Sequence, residues 1–128
     1  MAAILVVDDD ETIRDMLYDL FEENHRCHVA ETAEQALSYL ETEHYDVILT
    51  DISMPGLSGL ELLGHMRQTQ PDTPVIVITG IQDQVHAQGL LKLGAFHFLL
   101  KPFRLEDVEV SVEKAIEFRH RQIKRSNG

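Results

Sequence analysis

Residues 75–80 read Val75-Ile76-Val77-Ile78-Thr79-Gly80: four β-branched apolar side chains in succession, then a hydroxyl and a glycine. A half-exposed strand alternates apolar with polar. One that does not alternate has both faces buried, as in a central strand of a parallel sheet with helices on each side. Three other stretches also run apolar and stop at chemistry. They are Ile4-Leu5-Val6-Val7-Asp8-Asp9, Asp46-Val47-Ile48-Leu49-Thr50-Asp51 and Phe96-His97-Phe98-Leu99-Leu100-Lys101-Pro102.

Between these runs the apolar spacing turns helical. Ile13, Leu17 and Leu20 follow the first run, and a short strand at His28-Val29-Ala30 precedes Ala33, Ala36, Leu37 and Leu40. Leu62, Leu63 and Met66 form a third stripe, Ala87, Leu90 and Leu91 a weaker fourth, and Leu105, Val108, Val112, Ala115 and Ile116 the last. Alternating strands and helices predict an open parallel sheet of β-α units. The crevice of such a sheet lies at the carboxyl ends of its strands. All four polar termini fall on that edge. The 128 residues fit a single domain with room for a full core.

A hydrophobic content of 44% and a charged content of 26% are those of an ordinary globular domain. The net charge of −11 argues against direct nucleic-acid contact, which needs a basic surface. No apolar run approaches the ~20 residues that span a bilayer. The start Met-Ala-Ala-Ile-Leu carries no basic leader, and Cys27 is the only cysteine. A cytoplasmic protein that does not engage membranes is therefore expected. The histidines have no metal-ligand spacing and are expected at the surface; Cys27 is expected buried and inert.

If the first and third runs are neighbours, Asp8, Asp9 and Asp51 converge. At ~5 Å and an effective dielectric of ~20, each like-charge pair costs about 3 kcal/mol, so the cluster calls for a cation. Hard oxygen ligands suit Mg2+, Mn2+ or Ca2+; Mg2+ is favoured because it keeps waters and joins carboxylates to phosphate oxygens. Lys101 adds an ammonium, Thr79 a hydroxyl donor and Gly80 room for close approach. Such a setting suits phosphoryl transfer, with Asp51 as the nucleophile.

Four motifs carry a family resemblance: Val7-Asp8-Asp9-Asp10, then Thr50-Asp51-Ile52-Ser53-Met54-Pro55-Gly56-Leu57-Ser58-Gly59, then Thr79-Gly80, then Leu100-Lys101-Pro102-Phe103. In this order they resemble the receiver (phosphoacceptor) domain of two-component response regulators, over about residues 3–118. The resemblance implies a flavodoxin-like, doubly wound five-stranded parallel sheet of order 2-1-3-4-5 with five helices. It implies that Asp51 accepts a phosphoryl group from a sensor histidine kinase or a phosphotransfer protein. Asp8, Asp9, Asp51 and the backbone carbonyl of Ser53 would hold Mg2+, with Mn2+ as a substitute. Lys101 would pair with the phosphoryl oxygens and Thr79 would hydrogen-bond them. Phe98 matches the switch aromatic, turning inward as Thr79 shifts. That switch would alter the face of the fourth helix, fifth strand and fifth helix toward an output domain, a downstream protein or, after phosphorylation, a second copy in a dimer. The Lys101–Pro102 bond matches a cis peptide, plausible only before proline. The domain would promote its own phosphorylation and dephosphorylation rather than act as an enzyme on other substrates.

Two positions depart from the family pattern. Ser58 replaces a common aspartate in a turn, and Phe98 lacks a tyrosine hydroxyl, so switching must work through packing. A competing reading is a metal-dependent phosphohydrolase with an aspartyl-phosphate intermediate. Such enzymes commonly carry a second aspartate two residues after the nucleophile, where this chain has Ser53. In similar domains Ser53 and Ile81 would flank the path of an attacking water. Residues 1–118 are read as the receiver domain and 119–128 as a basic helical extension. Arg119, His120, Arg121, Lys124 and Arg125 there suit either a solvated helix end or a linker to an output domain.

Overall fold

The structure is a computed structural model and describes residues 1–52, 59–80 and 84–127. Among these, five strands alternate with five helices: β1 (Ala3–Val7), α1 (Glu11–Phe21), β2 (Arg26–Ala30), α2 (Ala33–Thr42), β3 (Val47–Asp51), α3 (Gly59–Thr69), β4 (Val75–Gly80), α4 (Gln84–Lys92), β5 (His97–Lys101) and α5 (Leu105–Asn127). The strands form one parallel sheet in the order β2-β1-β3-β4-β5. This is the doubly wound order expected.

The unbroken apolar strands are explained by two cores. Ile4 and Val6 of β1, with Ile76 and Ile78 of β4, pack against Leu17 and Phe21 of α1 and Val108, Val112 and Ala115 of α5. Leu5, Val7, Val75 and Val77 point the other way, onto Ala33, Ala36 and Leu40 of α2, Leu62, Leu63 and Met66 of α3 and Leu90 of α4. Each fully buried Leu, Ile or Val contributes about 1.5–3 kcal/mol relative to exposure, so a polar side chain at any of these positions would be strongly unfavourable.

Local chemistry sets the helix ends. Asp10 caps α1 by accepting from the Thr12 N–H at 2.9 Å. Thr32 caps α2 through the Gln35 N–H at 3.1 Å, a donor that the helix start leaves open, and the Gln35 side chain accepts in return from the N–H of Glu31, the residue before the cap, at 2.8 Å. After α4, Gly94 takes φ +113° while the Ala95 N–H reaches the Leu90 carbonyl at 3.1 Å. A side chain there would be strained, and its Cβ would lie 3.1 Å from Arg67 Nε.

Several expectations are corrected. β2 starts at Arg26 rather than His28, because the ladder pairs Ala3 with Arg26 although that side chain is exposed. Leu105, at the first turn of α5, is 37% exposed rather than part of its buried stripe. His28 is half-buried, stacked on Tyr39 at 5.0 Å, with Nδ1 2.7 Å from the Tyr45 hydroxyl. His25 Nδ1 accepts from the Ala2 N–H at 3.0 Å. Cys27 is buried, as expected. The Ala87 side chain lies outside the described residues. Helix α5 passes residue 118 without a break, and Arg119 Nη1 donates to Asp46 Oδ1 at 2.7 Å.

Candidate functional site

The register aligns the strand ends. Val7 lies beside Thr50, Asp51 beside Ile78, and Gly80 beside Lys101, so Asp8, Asp51 and Lys101 emerge together at the carboxyl edge. Asp8 is fully buried and tied at three points. Its N–H donates to the Ala30 carbonyl at 3.1 Å, its Oδ1 accepts from the Asp10 N–H at 2.9 Å, and its carbonyl accepts from Arg14 Nη1 at 2.9 Å. Lys101 Nζ donates to Asp51 Oδ2 at 3.1 Å and lies 3.2 Å from Asp8 Oδ2. The second approach is an ion pair without hydrogen-bond direction, so among the described residues the buried Asp8 Oδ2 has no hydrogen-bond partner.

Asp8, Asp9 and Asp51 each bring a carboxylate oxygen within 4.8 Å of the others. Asp9 is exposed, and Asp51 is 4% exposed. Burial raises the Asp8 carboxyl above its ordinary value, and the Asp51 charge adds to this against the Asp10 N–H and Lys101. For Lys101 burial pulls the ammonium down, but Asp8 and Asp51 outweigh it and the net shift is upward. The signs follow from linkage. Without a bound cation, ionising Asp8 costs stability as pH rises from 3.8 through its raised value. The Lys101 contribution is intact below 10.5 and is lost as pH rises through its own raised value. Three carboxylates facing one ammonium, with a buried oxygen left over, fit a hard divalent cation.

Thr79 is fully buried at the end of β4, its hydroxyl donating to the Gly80 carbonyl at a long 3.4 Å. Phe98 is half-buried on β5 and packs on the α2–α3–α4 side of the sheet. The Lys101–Pro102 peptide is cis. Ser53, Ser58 and Ile81 lie outside the described residues. Sequence reasoning missed Arg14. Its one signal is position, one helical turn after the Asp10 cap on the same face.

Fold and edge together define a doubly wound α/β domain with an acid–lysine cluster at the carboxyl ends of β1, β3 and β5. The chain belongs to the response regulator receiver domain family, which matches residues 4–113. It is 36% identical over 115 residues to the regulatory protein AtoC of Escherichia coli, covering 89% of this chain and 25% of that protein. It is 39% identical over 114 residues to the DNA-binding transcriptional regulator NtrC of Salmonella typhimurium, covering 88% and 24%. A response regulator receiver domain from Clostridium thermocellum superposes with a TM-score of 0.88 at 32% identity, covering 96% and 99%. The chain spans about a quarter of the length of these curated relatives. It is a signalling domain of a family that works with histidine kinases and output domains and that generally binds Mg2+. No helix among the described residues is long and apolar enough to cross a membrane.

Proposed function

We propose that Asp51 is the phosphoacceptor of this receiver domain. The observation that carries this is the shared ammonium, with Lys101 Nζ 3.1 Å from Asp51 and 3.2 Å from Asp8 at the exit of three strands. An Asp51 oxygen bonds to phosphorus as the phosphorus–nitrogen bond of a kinase or phosphotransfer-protein phosphohistidine breaks. The bonding pair leaves with the imidazole, which takes a proton from solvent. Lys101 is positioned to shift from Asp51 toward the phosphoryl oxygens, and Thr79 to donate a hydrogen bond to them. Asp8, Asp9 and Asp51, with the Ser53 carbonyl, would hold Mg2+ or Mn2+, which neutralises charge on the phosphoryl oxygens when bound. Self-dephosphorylation is a separate step, in which a water oxygen bonds to phosphorus as the Asp51 oxygen–phosphorus bond breaks, restoring the carboxylate and releasing inorganic phosphate.

Residues 1–118 then act as the receiver unit of a cytoplasmic regulator, and the basic residues 119–128 lead toward an output module. Thr79 and Phe98 couple the acyl phosphate to the α4–β5–α5 face, which would engage an output domain, a downstream protein or a second copy. Comparing backbone shifts with and without beryllofluoride and Mg2+ tests the switch; an unchanged 83–118 region would reject it. For the chemistry, acetyl phosphate with Mg2+ should give one labile, stoichiometric adduct that Asp51→Ala abolishes. An adduct of equal yield on Asp51→Ala would overturn the assignment. Rapid multiple-turnover release of phosphate from small esters would instead mark a hydrolase.

A further inference from the structure

We infer that Arg14 is a positioning residue for the cation site, acting through the backbone of Asp8. The inference rests on the metal reading above and adds a residue to it. The Arg14 side chain is 15% exposed and its guanidinium serves two loops at once. Nη1 donates to the Asp8 carbonyl at 2.9 Å, and Nη2 lies 3.6 Å from Glu31 Oε2. Glu31 follows Ala30, whose carbonyl accepts the Asp8 N–H at 3.1 Å. The contacts thus close a ring from Asp8 to Ala30, along the chain to Glu31, across to Arg14 and back to Asp8.

The peptide held by Arg14 is the one joining Asp8 to Asp9, so it sets the direction of both acids. With the Asp8 N–H, carbonyl and Oδ1 all engaged, Oδ2 is the one polar atom of Asp8 without a hydrogen bond to the described residues, and it lies 3.2 Å from Lys101 Nζ beside the cluster. That is a ligand oriented before the cation arrives. Loss of an outer partner that orients a metal ligand typically weakens metal binding about 10–100-fold. A planar guanidinium reaches two acceptors along fixed directions, which a lysine ammonium does not reproduce. The positive charge of Arg14 does not itself favour a cation; its effect comes from holding the peptide, with Glu31 balancing the charge.

The test is Mg2+ titration by calorimetry of the parent chain, Arg14→Met and Arg14→Lys, with the unfolding midpoint of each measured in EDTA. Arg14→Met keeps the apolar stem and removes the donors. It should weaken Mg2+ binding about tenfold, and Arg14→Lys should recover part of the loss. A lower midpoint with an unchanged Mg2+ constant would make Arg14 merely structural and overturn the inference, leaving the metal reading intact. A parent chain that binds no Mg2+ would overturn both. Nitrogen NMR of the parent supplies a measurement independent of any variant. The Arg14 guanidinium should shift on Mg2+ saturation while that of Arg67 does not, and a stationary Arg14 signal would also overturn the inference.

Discussion

The two edges of the sheet use the same functional groups to opposite ends. At the amino edge, Asp46 accepts from the Ala3 N–H at 2.7 Å and from Arg119 at 2.7 Å. Nearby, Gln70 accepts from the Tyr45 N–H at 3.0 Å and donates to the Glu43 carbonyl at 2.6 Å, while the Thr73 hydroxyl donates to the Tyr45 carbonyl at 2.7 Å. Each carboxylate and amide named there is answered from within the fold, and among the described residues Arg119 Nε is the one buried side-chain nitrogen left without a hydrogen bond. At the carboxyl edge, three acids crowd one ammonium, and among the described residues the buried Asp8 Oδ2 has no directed donor. A polar group matched by its neighbours stabilises the fold; one held in place and mismatched is available to a ligand.

The contrast makes the sign of a mutation depend on the edge. Asp46→Ala removes two partners at once and leaves the half-buried Arg119 guanidinium without its acid, so unfolding in urea should show a loss of about 2–3 kcal/mol. Thr73→Val, which strips the Tyr45 carbonyl of a donor, should cost about 1–2 kcal/mol in the same assay. Asp8→Asn should go the other way. Its amide oxygen can still accept from Asp10, and the ionised acid disfavoured by burial is gone, so stability at pH 7 in EDTA should rise by about 1 kcal/mol. The same change should abolish the stabilisation by Mg2+ that the parent and Asp46→Ala retain. A loss of stability for Asp8→Asn would dissolve the distinction between the edges.

Cys27, away from both edges, supplies the smallest effect. Burial pushes its thiol up to about 12 from 9.0, so Ellman's reagent at pH 8 should label it only as fast as the chain unfolds. Because the raised value belongs to the folded state, its contribution to stability falls as pH climbs from 9.0 toward 12. Rapid labelling of the native chain would contradict that burial.

The parallel sheet and the acid–lysine edge were legible because their signals are contiguous: an apolar run that ends in a charge marks both a buried strand and its exit. The helical stripes were legible for the same reason, apart from Leu105, exposed at the start of α5, and Ala87, whose side chain lies outside the described residues. What escaped was long-range pairing. Asp46 and Arg119 are 73 residues apart, and a lysine- and arginine-rich helix end gives no local sign that one guanidinium turns inward. Arg14 and His28 escaped likewise, since their partners come from other loops and helices. The edge strand β2 was clipped at its start because ladder membership is a property of backbone, which an exposed Arg26 does not advertise.

The 23 residues of α5 make a rod about 35 Å long at ~1.5 Å per residue, with the Asp46–Arg119 clasp roughly two-thirds of the way along. About 12 Å of helix projects past that clasp, and its azimuth is fixed by the sheet rather than by a swivel. Anything joined to the rod would inherit a defined bearing, set by the Val108, Val112, Ala115 and Ile116 packing and by the Phe96–Phe118 ring contact as well as by the clasp.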